Sequence, residues 1–293
     1  MDSKTTSPLV SIITPSFNSR KYIAETIESV VHQDYPAIEH IVIDGNSTDG
    51  TQEVLNQYPQ IKWISESDKG QSDAINKGLK MASGEIIGWL NADDLYTSQA
   101  ISTAVNFLRN HQDAVAVYGD MKMIDEKGAI IFTRRSQLFN LERLFLHNFI
   151  NQPTVFIRKR IINQVGGIDT RLHYSMDREL WLRIGSQNRM DYLPCWVGAE
   201  FRVHPSSKTS TSEPRFHAEW AGVMESTINN PLYRDVPMDI KRRAIEQAYV
   251  RLKLSLIRKA LEEKRISSLL SITARLIIEH RAYILKYPVR KFL

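Results

Sequence analysis

The densest chemical signal in the 293-residue chain is Asn91-Ala92-Asp93-Asp94, which directly follows the apolar run Glu85–Leu90. Two adjacent carboxylates repel each other unless a cation or a set of hydrogen-bond donors compensates them. Hard divalent cations prefer carboxylate oxygens and bridge them to phosphates. The pair therefore reads as a cation site, with Asp94 as the cap of a following helix as the plainer alternative. A second polar segment, Asp44-Gly45-Asn46-Ser47-Thr48-Asp49-Gly50-Thr51, ends the run Ile38–Asp44. Its glycines permit tight turns that bring a ligand close to backbone N–H groups. Asp44 is the contact expected there, while Ser47 and Asp49 read as turn and cap residues. The third segment, Glu66–Asn76, leads into a helical pattern beginning near Ser72. A helix N-terminus favours anions, and Asp68 could accept a hydrogen bond from a base or a sugar hydroxyl. A solvated loop capped at Ser72 is the alternative.

These segments need a frame that points them at one place. Leu9–Thr14 is a β-branched run ending at Pro15, and Tyr22–Val31 carries apolar residues at helical spacing. Ile38–Asp44, Ile61–Ser65 and Glu85–Leu90 read as strands, and Ser72–Met81 and Gln99–Arg109 as helices. Asp49, with Gln52 three residues on, reads as the start of one more helix. Strands alternating with helices predict parallel βαβ units, with ligands bound beyond the carboxyl ends of the strands. Thr14-Pro15-Ser16, Asp44–Ser47 and Asn91–Asp94 all fall at such ends and would line one pocket. From about residue 114 the pattern is less regular. Short strands at 114–118, 121–124 and 129–134 predict a mixed sheet, followed by a short helix at Arg178–Ile184 and a strand at Trp196–Val203. The Ser-, Thr- and Lys-rich stretch 205–214 reads as a mobile loop. From Met238 onward the chain is helical, with a break near Lys264–Ser268.

The segments VSIITPSFNSRKYIAETIESVVHQDYP, VIDGNSTDGT, SDKGQSDAINKGLKMASGEIIGWLNADDLY and LHYSMDRELWLRI resemble those of family 2 inverting glycosyltransferases, over roughly residues 8–205. The order and spacing of several motifs agree, which is far more specific than a lone acidic motif. The resemblance implies a glycosyltransferase A-type fold: a Rossmann-like nucleotide-binding half with a mixed central sheet, plus a C-terminal helical extension. It implies a catalytic domain at 1–237, divided into a nucleotide-sugar half at 8–113 and an acceptor half at 114–237, and an extension at 238–293. It further implies a nucleotide-sugar donor and a divalent cation, Mn2+ or Mg2+. Under it, Thr14 and Pro15 lie beside the nucleotide, Asp44 near the base, and Asp68 and Asn91 at polar positions around it. Asp93 contacts ribose and metal, Asp94 contacts the metal, and His204 approaches the metal or diphosphate, with a surface histidine at a strand end as the plainer alternative. Gly45 stands where the family commonly has a second acid, and Asn91 where it often has the first acid of its motif. Asp177 matches the catalytic base, a carboxylate that takes the proton of an acceptor hydroxyl as the new bond forms. On the residues alone, Asp177 could equally cap the helix 178–184. Lys208 could meet phosphate when the following loop closes. Asn151 and Gln152 would line the acceptor side, and Trp89, Trp181 and Trp196 belong to the core.

Composition bounds the rest. With 42% hydrophobic and 24% charged residues the chain is globular, which excludes disorder and rod-like folds for the whole. Its one cysteine, Cys195, forms no internal disulfide. The N-terminus lacks a signal-peptide pattern and no apolar run reaches about 18 residues, so a cytoplasmic location is expected, at the inner face of the plasma membrane if the tail binds lipid. The net charge of +5 is uneven: residues 241–293 carry 14 Lys and Arg against 4 Asp and Glu, a balance of +10. The tail could pack on the body or attach to an anionic membrane, where a lipid-linked or other glycan acceptor would lie. It lacks a nucleic-acid module, so no nucleic-acid partner is expected. Rival readings are a non-catalytic nucleotide-sugar-binding protein and a sugar-phosphate nucleotidyltransferase. The second should carry a glycine-rich phosphate loop after the first strand, where this chain has Thr14-Pro15-Ser16-Phe17-Asn18. Assembly of surface polysaccharide or lipopolysaccharide is the pathway that the resemblance implies.

Overall fold

A computed structural model describes residues 7–208 and 212–286. The chain forms two compact units. One is built from the chain up to Phe139 together with Asn148–His204, and the other from Asn140–His147 together with the chain from Pro205 onward. The boundaries expected at 113/114 and 237/238 both fall inside these units.

The first unit contains one nine-stranded sheet. Its parallel half comprises β1 (Val10–Ser16), β2 (Ile38–Asp44), β3 (Lys62–Ser65) and β4 (Ile86–Trp89) in the order β3-β2-β1-β4. Register runs from Val10 opposite Ile38 to Ser16 opposite Asp44, which brings the ends of β1 and β2 level. Every residue of β1 is buried, as expected of a central strand covered on both faces. The connecting helices are α1 (Ile23–Val31), α2 (Thr51–Leu55), α3 (Gln71–Met81) and α4 (Ala100–Asn110). Val10 and Ile12 share a core with Ala100, Ile101, Ala104 and Leu108 of α4, while Ile13, on the other face, packs under α3. This half follows the local periodicity closely. The cap position of α2 is the left-handed Gly50 rather than the expected Asp49, whose carboxylate instead accepts from Thr51 N and Oγ1 at 3.0 and 2.5 Å from one residue earlier.

The mixed half adds β5 (Leu95–Tyr96), β6 (Ala116–Ile124), β7 (Ile130–Arg134), β8 (Phe156–Arg158) and β9 (Met190–Arg202). β8 runs antiparallel to β4 and β6, and β9 runs parallel to β6. The strands expected at 114–118 and 121–124 are one strand. Gly119 does not turn the chain but admits Trp196 of β9, whose ring and carbonyl lie 2.5 Å from where a Cβ would stand. β9 starts earlier than the expected Trp196–Val203, and its pattern is interrupted at Pro194-Cys195, where Cys195 has φ 63°. Two further helices, α6 (Lys159–Gln164) and α7 (Met176–Gly185), complete this unit.

The second unit is helical: α5 (Leu141–Leu146), α8 (Glu213–Ser226), α9 (Met238–Glu262) and α10 (Ile266–Lys286). The loop expected at 205–214 lies partly outside the described residues, at 209–211, and Glu213-Pro214 already opens α8. Among the described residues no helix is long and apolar enough to cross a membrane.

Candidate active site

The carboxyl ends of β1, β2 and β4 form one edge of the sheet, as the βαβ pattern predicts. Asp44, at the end of β2, is fully buried. Its carboxylate accepts from Ser47 N at 2.9 Å, Ser47 Oγ at 2.5 Å and Ser65 Oγ at 2.6 Å. These bonds fold the 44–47 turn against β3, so the carboxylate expected to meet a base is engaged within the chain. Thr14 is likewise buried, with Oγ1 2.9 Å from His40 Nε2. Pro15 is buried beside it.

The surface above Asp44 is made instead by Gly45, Asp68 and Phe17. Asp68 accepts from Gly70 N through Oδ1 at 2.7 Å. Its Oδ2 lies 2.8 Å, and Phe17 Cδ2 3.2 Å, from where a Cβ on Gly45 would stand. The absence of a side chain at 45 is therefore matched by a carboxylate from 68 and a phenyl from 17. Phe17 is 66% exposed, an unusual setting for a phenylalanine at a sheet edge, and sequence reading passed over it. Its signal was present in the segment: an aromatic between a strand end and the left-handed Asn18 (φ 49°).

The Asn91–Asp94 loop after β4 separates its two acids. Asp94 is fully buried and accepts from Arg202 N at 3.1 Å and Asn91 Nδ2 at 3.0 Å. Burial, with the neighbouring Asp93 charge, pushes its carboxyl well above the usual carboxylate range. Through these bonds Asp94 holds the loop closed. Asn91 is also committed: its Oδ1 accepts from Trp89 Nε1 at 2.9 Å and Gln71 Nε2 at 2.8 Å. Asp93 is the outward acid. Its side chain is 31% exposed, and its Oδ2 lies 3.0 Å from His204 Nε2.

Arg202, at the end of β9, braces this arrangement. Its side chain is 1% exposed and donates to Asp93 O at 3.1 Å, Glu126 O at 3.1 Å and Glu25 Oε2 at 2.6 Å. The guanidinium lies 4.8 Å from the Tyr22 ring centre, and that ring stands 4.9 Å from the His204 ring. Sequence reading missed this role, because a lone arginine in a strand carries no local signal of three partners from two loops and a helix.

The segment that precedes Asp177 is tied to α3. Ser72 Oγ donates to Leu172 O at 2.5 Å, and Asn76 exchanges two hydrogen bonds with the backbone of Ile168 at 2.7 and 2.9 Å. These bonds tie the segment leading into α7 to the start of α3, next to the Asp68–Gly70 turn. α7 begins at Met176 with Ser175 at the capping position, so Asp177 lies inside the first turn and is not the helix cap. Burial raises its carboxyl above the ordinary value, against the N–H of Arg178 and the charges of Arg178 and Arg134. A carboxylate so shifted is a better proton acceptor near neutral pH.

Asn151 is 1% exposed and donates to Gly119 O and Arg134 O, both at 3.1 Å, so it joins strands. Gln152 spans from Trp89 O at 2.7 Å to Asn91. Among the described residues no three His, Cys, Asp or Glu side chains gather into a metal site of their own. Asp93 and His204 fit a divalent cation as two protein ligands, in the manner of sites that leave the remaining positions to phosphates and water.

Known proteins share sequence and fold with this chain. A family model described as "Glycosyl transferase family 2" matches residues 11–166. The chain is 37% identical over 219 residues to the putative teichuronic acid biosynthesis glycosyltransferase TuaG of Bacillus subtilis, covering 73% of this chain and 86% of that one. It is 27% identical over 230 residues to the UDP-Glc:alpha-D-GlcNAc-diphosphoundecaprenol beta-1,3-glucosyltransferase WfgD of Escherichia coli, covering 77% and 89%. Other curated relatives are longer, and the chain spans about a third of their length. Among solved structures, the mannosyltransferase PcManGT from Pyrobaculum calidifontis, in complex with GDP-Man and Mn2+, aligns with a TM-score of 0.63. The match covers 95% of this chain and 84% of that one at 18% identity, a likeness of fold.

Proposed function

We propose that this chain, which belongs to glycosyl transferase family 2, moves a sugar from a nucleoside-diphosphate donor to a hydroxyl of a lipid-linked glycan, with inversion, during assembly of a bacterial surface polysaccharide. The carrying observation is the Asp93–His204 pair at the end of β4, on the sheet edge that also presents Asp68, Gly45 and Phe17. The TuaG and WfgD relatives support the pathway, and the printed activity of WfgD supports a diphosphate-linked lipid acceptor.

In this reading, Phe17 offers a face for the base, and Asp68 accepts from the nucleoside. Backbone at Thr14 and Pro15 lies beneath them. Asp93 and His204 hold the cation, which when bound neutralises charge on the departing diphosphate. Asp94 and Asn91 keep the loop in shape. Asp177 accepts the proton of the acceptor hydroxyl as its oxygen bonds to the anomeric carbon and the bond from that carbon to diphosphate breaks. One base suffices, because a single displacement inverts the centre. The acceptor would reach the enzyme at the inner face of the plasma membrane.

The test has two arms. Thermal melts with UDP, GDP, CDP and dTDP, each with and without Mn2+, should show one nucleotide that stabilises in a chelator-sensitive way. Ligand at about 100 times its dissociation constant adds roughly 2.7 kcal/mol, which a melt resolves. Asp177→Asn should keep that shift and lose transfer. Undiminished transfer by this variant removes the mechanism.

A further inference from the structure

α10 packs on α9 through one face. Leu276 and Tyr283 join Val250 in a small core, with Leu254 and Ile257 at its edge. A polar lock reinforces that seam: His280 Nδ1 lies 2.5 Å from Glu246 Oε1, His280 Nε2 lies 2.9 Å from Lys253 Nζ, and Lys253 also pairs with Glu279. These contacts fix which face of α10 points outward.

That outward face is aliphatic. Leu270, Ile277 and Ile278 are 67, 55 and 77% exposed, and the exposed Ala274 lies between them at helical spacing. A helix with one face buried normally shows polar residues on the other. Arg275 borders the stripe, and Arg281 follows it just past a kink at His280 (φ −122°); both are exposed. The one acidic residue of α10, Glu279, is drawn aside to Lys253. Over 241–293 the sequence adds further excess positive charge, to +10.

We propose that this face of α10 docks on an anionic lipid surface, with Leu270, Ala274, Ile277 and Ile278 among the acyl chains and Arg275 and Arg281 at the headgroups. Aliphatic side chains flanked by arginines complement a bilayer interface in both layers, apolar below and negative above. A nucleic acid would complement the arginines and leave the isoleucines in water. A helix lying in the interface also agrees with the lack of a membrane-crossing helix among the described residues. The inference deepens the proposed function by naming how the enzyme meets a lipid-linked acceptor, yet its readout involves no transfer.

The full chain is floated with phosphatidylcholine vesicles with and without phosphatidylglycerol. Binding is expected only with the anionic lipid. The triple variant Leu270→Gln, Ile277→Gln, Ile278→Gln and the double variant Arg275→Gln, Arg281→Gln should each weaken it about tenfold. All five residues are exposed, and unchanged melting temperatures confirm that the variants fold. The proposal is overturned by absence of binding to anionic vesicles, or by equal binding of the triple variant. It is also overturned if the triple variant turns a dimer into a monomer while vesicle binding stays the same, since the face then covers a second copy.

Discussion

Nε2 of His204 lies 3.0 Å from Oδ2 of Asp93, although 111 residues separate them in the chain. The contact joins the end of β9 to the end of β4, and Arg202 fastens both by holding the Asp93 carbonyl and standing behind the Tyr22 ring. Two groups brought together from so far apart, one of them 31% exposed, form a site that a cation can complete.

Replacing either partner should therefore act on metal use before it acts on folding. Asp93→Asn and His204→Gln are expected to lower transfer by about 100-fold or more and to raise the Mn2+ concentration for half-maximal rate. Transfer rates over a Mn2+ titration, with melting temperature as control, check this.

Asp177 should govern the acid limb of the pH profile. Burial raises its carboxyl, so the ionised base is lost at a higher pH than for an ordinary aspartate, near 4. Activity is expected to fall as pH drops through that raised value. Asp177→Asn should reduce transfer by roughly 10²–10⁴ and abolish the limb. The measurement is kcat/KM against pH for both proteins.

Acid should destabilise the sheet in two windows. Burial holds His40 down to about 3 in the folded chain, against 6.5 when exposed. Its contribution is complete above 6.5 and is lost as pH falls toward 3, because the unfolded chain takes the proton first. Burial pushes Glu39 up, but Lys62, Ser83 N and Ser11 outweigh it and hold it at about 2, below its ordinary 4.5. Its contribution is complete above 4.5 and is lost from there toward 2. Urea midpoints between pH 7 and 5 should fall in the native protein and stay nearly level in His40→Asn.

Gly45→Ala should weaken nucleotide binding without unfolding the chain. The added Cβ would meet Asp68 Oδ2 at 2.8 Å and displace the carboxylate from its place over the turn. Because that contact is with the movable end of a half-exposed side chain, the cost to folding is smaller than for overpacking in a core. In the double variant Gly45→Ala, Asp68→Ala, melting temperature should recover while nucleotide affinity stays low. Calorimetric titration and thermal melts separate the two effects.

Arg202→Met should be the most destabilising single change at the site. It removes a buried fork and leaves the Asp93 and Glu126 carbonyls without their donors, at roughly 1–3 kcal/mol for each stranded group. Chemical denaturation measures the loss.

The parallel half was legible because its information is local. The periodicities of Ile38–Asp44 and of Ser72–Met81 need no distant partner, and strand ends in such a sheet form the binding edge by topology alone. The two acids of Asn91–Asp94 were legible as a pair but not as individuals. Which one faces outward is decided by Arg202 N, 108 residues away. Asp44 was read as a ligand contact from its place at the end of β2, whereas Ser47 and Ser65 engage its carboxylate. The length of β9 was hidden by Pro194-Cys195, and the division at His204 is marked only by the Ser-, Thr- and Lys-rich stretch that follows it, which reads as a loop. Asp177 was open on residues alone between cap and base, and the start of α7 at Met176 removes the cap.

The bonds from Ser72 and Asn76 to the segment before α7 carry an evolutionary consequence. A crossover placed between α3 and α7 would part the segment before Asp177 from the helix to which it is bonded. The smallest exchangeable cassette here runs from the start of α3 through α7. A chimera that swaps the later portion alone should express as a folded protein with a misplaced base, whereas one that carries both Ser72 and Asn76 with it should stay active.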